Sequence, residues 1–427
     1  MRFPRALRSV AAAALAVASL SGCASYTQKA LAVRDPLIQG DLESAQAFLE
    51  EKTPGGKGLP YLFELGLVQR ARGDFQASNA TFESAELLVD DLYTKSVSKE
   101  ILAFATSDET IPYSGETWER VLVNYYRALN YIDLGDFEAA LVECRKLNQK
   151  LRVYVDSDDD PPTYRTDAFA QYVTSILYEI SGDLNDAWVS LRLAEEGYAH
   201  YAEAYGVQAP PSLVPDYLRL ALDHGYADDP ASVREKYADV KYTPTSELLK
   251  QGEIVLLYEE GFIAPKIQED VFLPILKTEW EDDHESYARR LSRPGYRHRK
   301  YKKTELEYLL RIALPTYQPR APGDRPGYAK VGAGGKSAQT VIAEDLDAIA
   351  RKGLEDRMGG ILFRTIVRAL GKYALTRGVE KETGKIGGLL ANIVTAATEK
   401  ADTRSWITLP RTVQIARIVV PPGSHDV

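Results

Sequence analysis

Cysteine is nearly missing from this 427-residue chain, which has only Cys23 and Cys144. Cys23 closes an apolar leader, so Cys144 is left alone, no internal disulfide is expected, and packing must hold the fold. Histidine is scarce too. The five (His200, His224, His284, His298 and His425) form no His-Glu-x-x-His pair, and no Gly-x-Ser-x-Gly elbow occurs. Gly332 to Ser337 has the look of a phosphate loop, but the motif needs Gly where Lys330 stands. It reads instead as a flexible Gly-rich linker before a helix. Asp156, Asp158, Asp159 and Asp160 lack the Gly turn and terminal Glu of a calcium loop and read as a solvated acidic loop. Together these gaps predict no enzyme, no cofactor and no metal. Positive charge is also short: 52 Lys plus Arg stand against 61 Asp plus Glu, a net charge of −9. That balance argues against nucleic acid as a partner.

The sequence is 45% hydrophobic and 26% charged, enough apolar material for two or three packed domains. Its first 22 residues carry Arg2, Arg5 and Arg8, then the uncharged run from Ser9 to Leu20. This is a positive n-region followed by an h-region too short to span a bilayer. Leu20-Ser21-Gly22-Cys23 resembles the bacterial lipobox. The resemblance implies cleavage before Cys23, lipid attachment to its sulfur and acylation of the new amino terminus. Several acyl chains anchor stably where one binds marginally. Losing the three arginines leaves a net charge of −12. Ala24, where an Asp commonly marks inner-membrane retention, favours the outer membrane. No later segment has the apolar length of a membrane-spanning helix, so the body is expected to face the periplasm.

Four Gly-Asp pairs, each followed by an apolar residue, begin at Gly40, Gly73, Gly135 and Gly182. A small residue follows at Ala45, Ser78, Ala140 and Ala187, with Leu49, Phe82, Cys144 and Leu191 four positions further on. Gly ends one helix with positive φ, Asp caps the next, and small residues let two helices approach. The pattern resembles the tetratricopeptide (TPR) repeat, whose period is roughly 34 residues. The irregular spacing of the glycines implies two insertions. Pro36 weakens the first unit, and Cys144 aligns with a buried second-helix position as a small apolar filler. Carried over from the repeat family, the concave partner-binding face holds Phe63, Leu67 and Arg70, then Tyr125, Leu129 and Asp133, then Phe169, Tyr172 and Glu179.

After about Thr243 the repeats stop. Strands are predicted over Glu253 to Tyr258, Phe262 to Ile275, Leu309 to Tyr317 and Thr412 to Val420. Helices are predicted over Val341 to Leu354, Gly360 to Arg377 and Ile386 to Lys400. The fold class is therefore α+β: a leader over 1–22, an all-α TPR-like hairpin array over 23–242, and a mixed α/β domain over 243–427. Its first and last strands are candidates to pair. On the Gly360 helix, Arg364, Arg368 and Lys372 form a cationic stripe opposite Leu362, Ile366, Ala369 and Tyr373. A basic loop over 289–303 contains Arg289, Arg290, Arg293, Arg297, Arg299, Lys300, Lys302 and Lys303. Acids from Glu279 to Glu285 precede it, and such runs are usually solvated.

Two further stretches, Lys57 to Glu64 and Ala401 to Trp406 with Leu409-Pro410 and Pro421-Pro422-Gly423, resemble an uncharacterised family of bacterial lipoproteins with TPR-like repeats. The resemblance covers most of the mature chain and implies architecture but no activity. Trp406 and Arg404 are expected to pack and pair at a domain seam. The function expected is a lipid-anchored, periplasm-facing scaffold that binds envelope proteins through its repeats. The alternative is an envelope-polymer or lipid-binding module for cell-wall maintenance, using 289–303.

Overall fold

The structure, a computed structural model, describes residues 26–52, 58–94, 111–155, 164, 166–282, 300–397 and 400–427. It opens with paired helices. α1 (Tyr26–Ala30), a 3₁₀ turn (Leu31–Val33) and α2 (Arg34–Ile38) precede α3 (Leu42–Lys52). Three longer hairpins follow: α4 (Leu59–Ala71) with α5 (Phe75–Thr94), α6 (Thr117–Asp133) with α7 (Phe137–Val155), and α8 (Ala168–Ser181) with α9 (Leu184–Ala204). Gly40, Gly73, Gly135 and Gly182 sit at the turns with φ from +74° to +83°. The next residue then caps: the carboxylates of Asp41, Asp136 and Asp183 accept the N–H of Ser44, Ala139 and Asp186. Asp74 pairs with Arg72. Pro36 lies within the broken first unit, as its missing N–H and fixed φ lead one to expect. Helices α10 (Leu213–Asp223), α11 (Pro230–Lys236) and α12 (Thr245–Leu248) close the array.

Within a hairpin, contact is tight because one residue is small. A Cβ on Gly66 of α4 would lie 2.5 Å from the Phe82 ring of α5, and Ser78 donates to the Gly66 carbonyl at 2.7 Å. Polar side chains also tie α6 to both of its neighbours. Asn130 of α6 donates to Ser78 and Asn79 of α5, while Arg127 pairs with Glu86 of α5 and Glu143 of α7. Burial alone would raise the Glu86 carboxyl, but Lys150, Asn124 and Lys146 hold it at about 2.

The second half of the chain is built on β7 (Thr412–Val420), which lies between β1 (Gly252–Glu260) and β6 (Val341–Asp345), antiparallel to both. The first and last strands therefore do pair, Gly252 opposite Val420. Alternation sorts their side chains. Val255, Leu257, Val413 and Ile415 join the helical core, while Ile254, Leu256, Ala416 and Ile418 face the hairpin of β4 (Lys330–Ala333) and β5 (Lys336–Gln339). One core runs without a break from Leu59 and Phe63 through Tyr172 and Tyr201 to Trp406 and Ile415.

Several sequence expectations fail here. The Gly-rich stretch is a tight turn between β4 and β5, with Gly334 and Gly335 both at positive φ, and Val341 begins a strand. The three predicted helices are one, α13 (Leu346–Ala397), about 78 Å long at 1.5 Å per residue. The stretches around Gly359-Gly360 and Gly371 show no break, because glycine weakens a helix without ending it. β2 (Lys266–Asp282) and β3 (Lys300–Tyr317) form a long separate hairpin, and Tyr308, Leu310 and Ile312 pack it on Ala369 of α13.

Replacing Gly66 with Ala forces a methyl group into the Phe82 ring. Denaturant unfolding should show a loss of about 1–3 kcal/mol, the usual cost of overpacking a tight contact.

Candidate functional site

The inner face of the helical array is occupied by the chain's own segment Ala401 to Arg411. Trp406 is fully buried and stacks on Phe63 with ring centroids 4.6 Å apart, while Phe82 and Tyr126 flank it at 5.7 and 5.8 Å. The backbone of the segment is gripped by carboxylates that the first helices supply. Glu64 of α4 accepts the N–H of Ile407 at 2.8 Å and of Thr408 at 3.0 Å. Glu119 of α6 accepts the N–H of Trp406 at 2.7 Å and the hydroxyl of Tyr113 at 2.5 Å. Arg34 donates to the carbonyls of Ile407 and Ile263, and Thr27 donates to Thr403. Further along, Arg417 of β7 ties Asp216 and Tyr172 of the array to Glu253 of β1.

These acids sit in an unusual electrostatic setting. Burial pushes the Glu64 carboxyl up to about 7, against the pull of Thr408, Ile407 and Arg34. Burial, and then the charge on Glu116, likewise push Glu119 up to about 7. Glu116 goes the other way. Burial would raise it, but Arg357 and Lys266 both pair with it and hold it at about 2. Deeper in the core, Glu344 of β6 is buried with neither carboxylate oxygen hydrogen-bonded, and burial followed by the nearby Asp167 raises its pKa well above the usual range. Asp167 itself caps α8 through Ala170 N–H at 2.8 Å and accepts from Tyr164 at 2.7 Å. Apart from Glu344, these acids are engaged with backbone, with tyrosine hydroxyls or with cationic side chains. Cys144 is buried, and burial pushes its thiol up to about 11, so it is an apolar filler. Among the described residues, no group of three or more His, Cys, Asp and Glu is placed to hold a metal ion.

The predicted groove residues are brought together, but not as an open groove. Phe63, Tyr125, Phe169 and Tyr172 are at most 3% exposed, so they form core beneath the returning segment and β7. Only the charged members reach the surface. Arg70 bonds Asn130 and pairs with Asp133 at 2.8 Å, and Glu179 pairs with Arg219. Trp406 packs at the seam as expected, while Arg404 pairs with Asp402 and lies over the Tyr113 ring. Arg289, Arg290, Arg293, Arg297 and Arg299 lie outside the described residues, as does Cys23. Lys300, Lys302 and Lys303 belong to β3, opposite Asp282, Trp280 and Glu279, so that end of the basic stretch is strand and not loop. Two members of the expected cationic stripe on α13 do not share a face, because Arg364 is exposed but Arg368 is 4% exposed, and the side chain of the third, Lys372, lies outside what is described. The outward positions are apolar, with Phe363 65%, Val367 41% and Leu370 46% exposed. The residues that sequence reasoning missed are Glu64 and Glu119. Glu64 left a signal, a lone acid within the apolar run Leu59 to Val68.

No protein-family model matches the chain, and no curated protein does. Among solved structures it is similar to one titled MamA RS-1 ArsTM double mutant, with 16% identity, a TM-score of 0.29, and coverage of 50% of this chain and 93% of that one. It is also similar to a putative kinesin light chain from Podospora anserina with nearly identical TPR-like repeats, at 15% identity and the same score, covering 49% of this chain and 91% of the other. A single-substitution variant of that protein scores the same at 14% identity, covering 50% and 95%. At such scores these likenesses carry no argument about this chain.

Trp406→Ala should cost about 3–5 kcal/mol in denaturant unfolding, as loss of a fully buried large side chain does. Tyr172→Ala should act in the same direction, lowering stability. The pH dependence has a definite sign. Glu64, Glu119 and Glu344 keep a proton in the fold at pH values where the unfolded chain, titrating near 4.5, has lost it. For Glu64 and Glu119 this stabilisation is complete below 4.5 and is lost as pH rises toward 7, and the raised carboxyl of Glu344 acts in the same direction. Glu86 and Glu116, held at about 2, lose theirs as pH falls below 4.5. The urea midpoint should therefore be higher at pH 5 than at pH 8. Glu344→Gln should raise the pH 8 midpoint and narrow the difference; an unchanged difference removes Glu344 as a cause.

Proposed function

We propose that the chain is an envelope scaffold whose helical hairpins hold its own C-terminal half and present the β2–β3 hairpin and α13 to a partner protein. The observation that carries this reading is the set of large apolar side chains those elements leave uncovered among the described residues. On the hairpin Phe272 is 52% exposed and Leu306 60%, and on α13 Phe363, Val367 and Leu370 are turned outward. Exposed apolar surface of this kind marks contact sites. The inner face of the array is already filled, so it serves as a base and not as a docking groove.

The lipobox-like Leu20 to Cys23 supports attachment through Cys23 to the outer membrane, with the folded body facing the periplasm. No described helix is long and apolar enough to cross a membrane. Crosslinking in intact envelopes tests both parts. The wild-type chain should incorporate labelled palmitate and yield a specific crosslinked partner, whereas Cys23→Ala should lose the label. Phe272→Asp with Phe363→Asp should abolish the partner adduct at an unchanged unfolding midpoint. An adduct that survives both substitutions places the contact elsewhere.

A further inference from the structure

A second feature lies apart from the hairpin and α13, where the first two helical units meet the end of β1. A cavity of about 480 Å³ opens there, within the range of small-ligand pockets. Its walls include Leu37, Leu67, Phe75 and Phe262, and Gly261 and Pro410 close one side. Three charged side chains line it: Arg70, Asp133 and Glu259. Two of them neutralise each other. The Arg70 guanidinium donates to Asp133 at 2.8 Å and to Asn130 at 2.7 Å, and it lies 5.6 Å from the centroid of Phe75. Its donors are thus turned toward α6, and an incoming anion would have to displace Asp133.

Glu259 is different. It stands at the end of β1, opposite Val413, and its side chain is accessible through the cavity. Among the described residues it has no ion-pair partner. Protein surrounds it closely enough that desolvation raises its carboxyl above the ordinary range, despite Tyr126 and Arg70. A solvated surface acid needs no partner. An acid on an apolar cavity wall is desolvated, and the one cation that lines the cavity with it, Arg70, is already paired with Asp133. With all three ionised, Arg70, Asp133 and Glu259 leave the cavity one negative charge in excess, next to aliphatic and aromatic walls.

We propose that this cavity is a binding site for an organic monocation with an apolar stem, the side chain of a lysine or arginine on the partner polypeptide. The stem lies along Leu37, Leu67 and Phe262, and the cationic head pairs with Glu259. The polypeptide source rests on the scaffold reading above; the cation chemistry rests on the cavity alone.

The test is a ligand-detected NMR titration of the full chain with Nα-acetyl-lysine methylamide. Nα-acetyl-norleucine methylamide and n-butylamine are the comparison probes. The lysine compound should bind, the norleucine compound should bind about tenfold more weakly or not at all, and Glu259→Gln should weaken the lysine compound about tenfold. Ala71→Trp, at an exposed position on the cavity rim, should block binding at an unchanged unfolding midpoint, which covers the case in which the Glu259 variant misfolds. Equal binding of lysine and norleucine compounds, or binding indifferent to both substitutions, overturns the proposal. Tighter binding of n-butylamine than of the lysine compound overturns the polypeptide source. Lysine binding that persists when no partner is crosslinked in the envelope sinks the scaffold reading alone. A partner adduct retained by a chain that binds no lysine compound sinks only the cavity.

Discussion

The fold turns on one arrangement, in which the carboxylates of Glu64 and Glu119 accept successive backbone N–H groups of Trp406, Ile407 and Thr408 while the Trp406 ring fills the space between Phe63, Phe82 and Tyr126. A segment with no secondary structure of its own has to satisfy its backbone somewhere when it is buried. Here the helices provide the acceptors. A carboxylate used this way is costly to bury, and the raised pKa values of both glutamates record that cost. The return is positional: once Trp406 is fixed, β7 starts six residues later, and with it the sheet that carries β1 and β6.

That arrangement changes what the helical hairpins are for. In an open array, the inner face of the first helices is free to take a ligand. In this chain the same face takes residues 401–411, and Arg417, Asp216, Tyr172 and Glu253 extend the attachment beyond them. The hairpins and the sheet are consequently one packing unit. Under the proposed function, contacts with other molecules fall to surfaces the core does not use, namely the exposed side chains of β2, β3 and α13 and the cavity at the end of β1. These two surfaces differ in chemistry. The first is a set of exposed apolar side chains, whereas the second is small and lined by Arg70, Asp133 and Glu259 beside apolar walls.

The helical half is legible because its signals are local. A glycine with positive φ, an aspartate one residue on and a small residue on the next helix act within a single turn, and the four Gly-Asp pairs report them directly. Strand β7 is legible from its apolar run and flanking prolines. The continuity of α13 is not, because its glycines suggest breaks that a helix tolerates when neighbouring residues propagate it. The Gly334-Gly335 turn is not legible either, since nothing in the glycines themselves tells a linker from a two-residue hairpin; the pairing of Val331 with Ala338 does.

The sequence by itself determined the turns, the caps, the small-residue contacts and the types of side chain available at each helical face, because each depends on neighbours a few positions away. It also contained both halves of the seam, Lys57 to Glu64 and Ala401 to Trp406, without saying that they meet. Tertiary structure decided that. Whether Phe63 or Tyr172 faces a partner or a core depends on what lies across from it. Burial of Glu64 and Glu344, the desolvation of Glu259 and the apolar outer side of α13 likewise arise only when distant segments pack, since desolvation belongs to a place in the fold and not to a residue type.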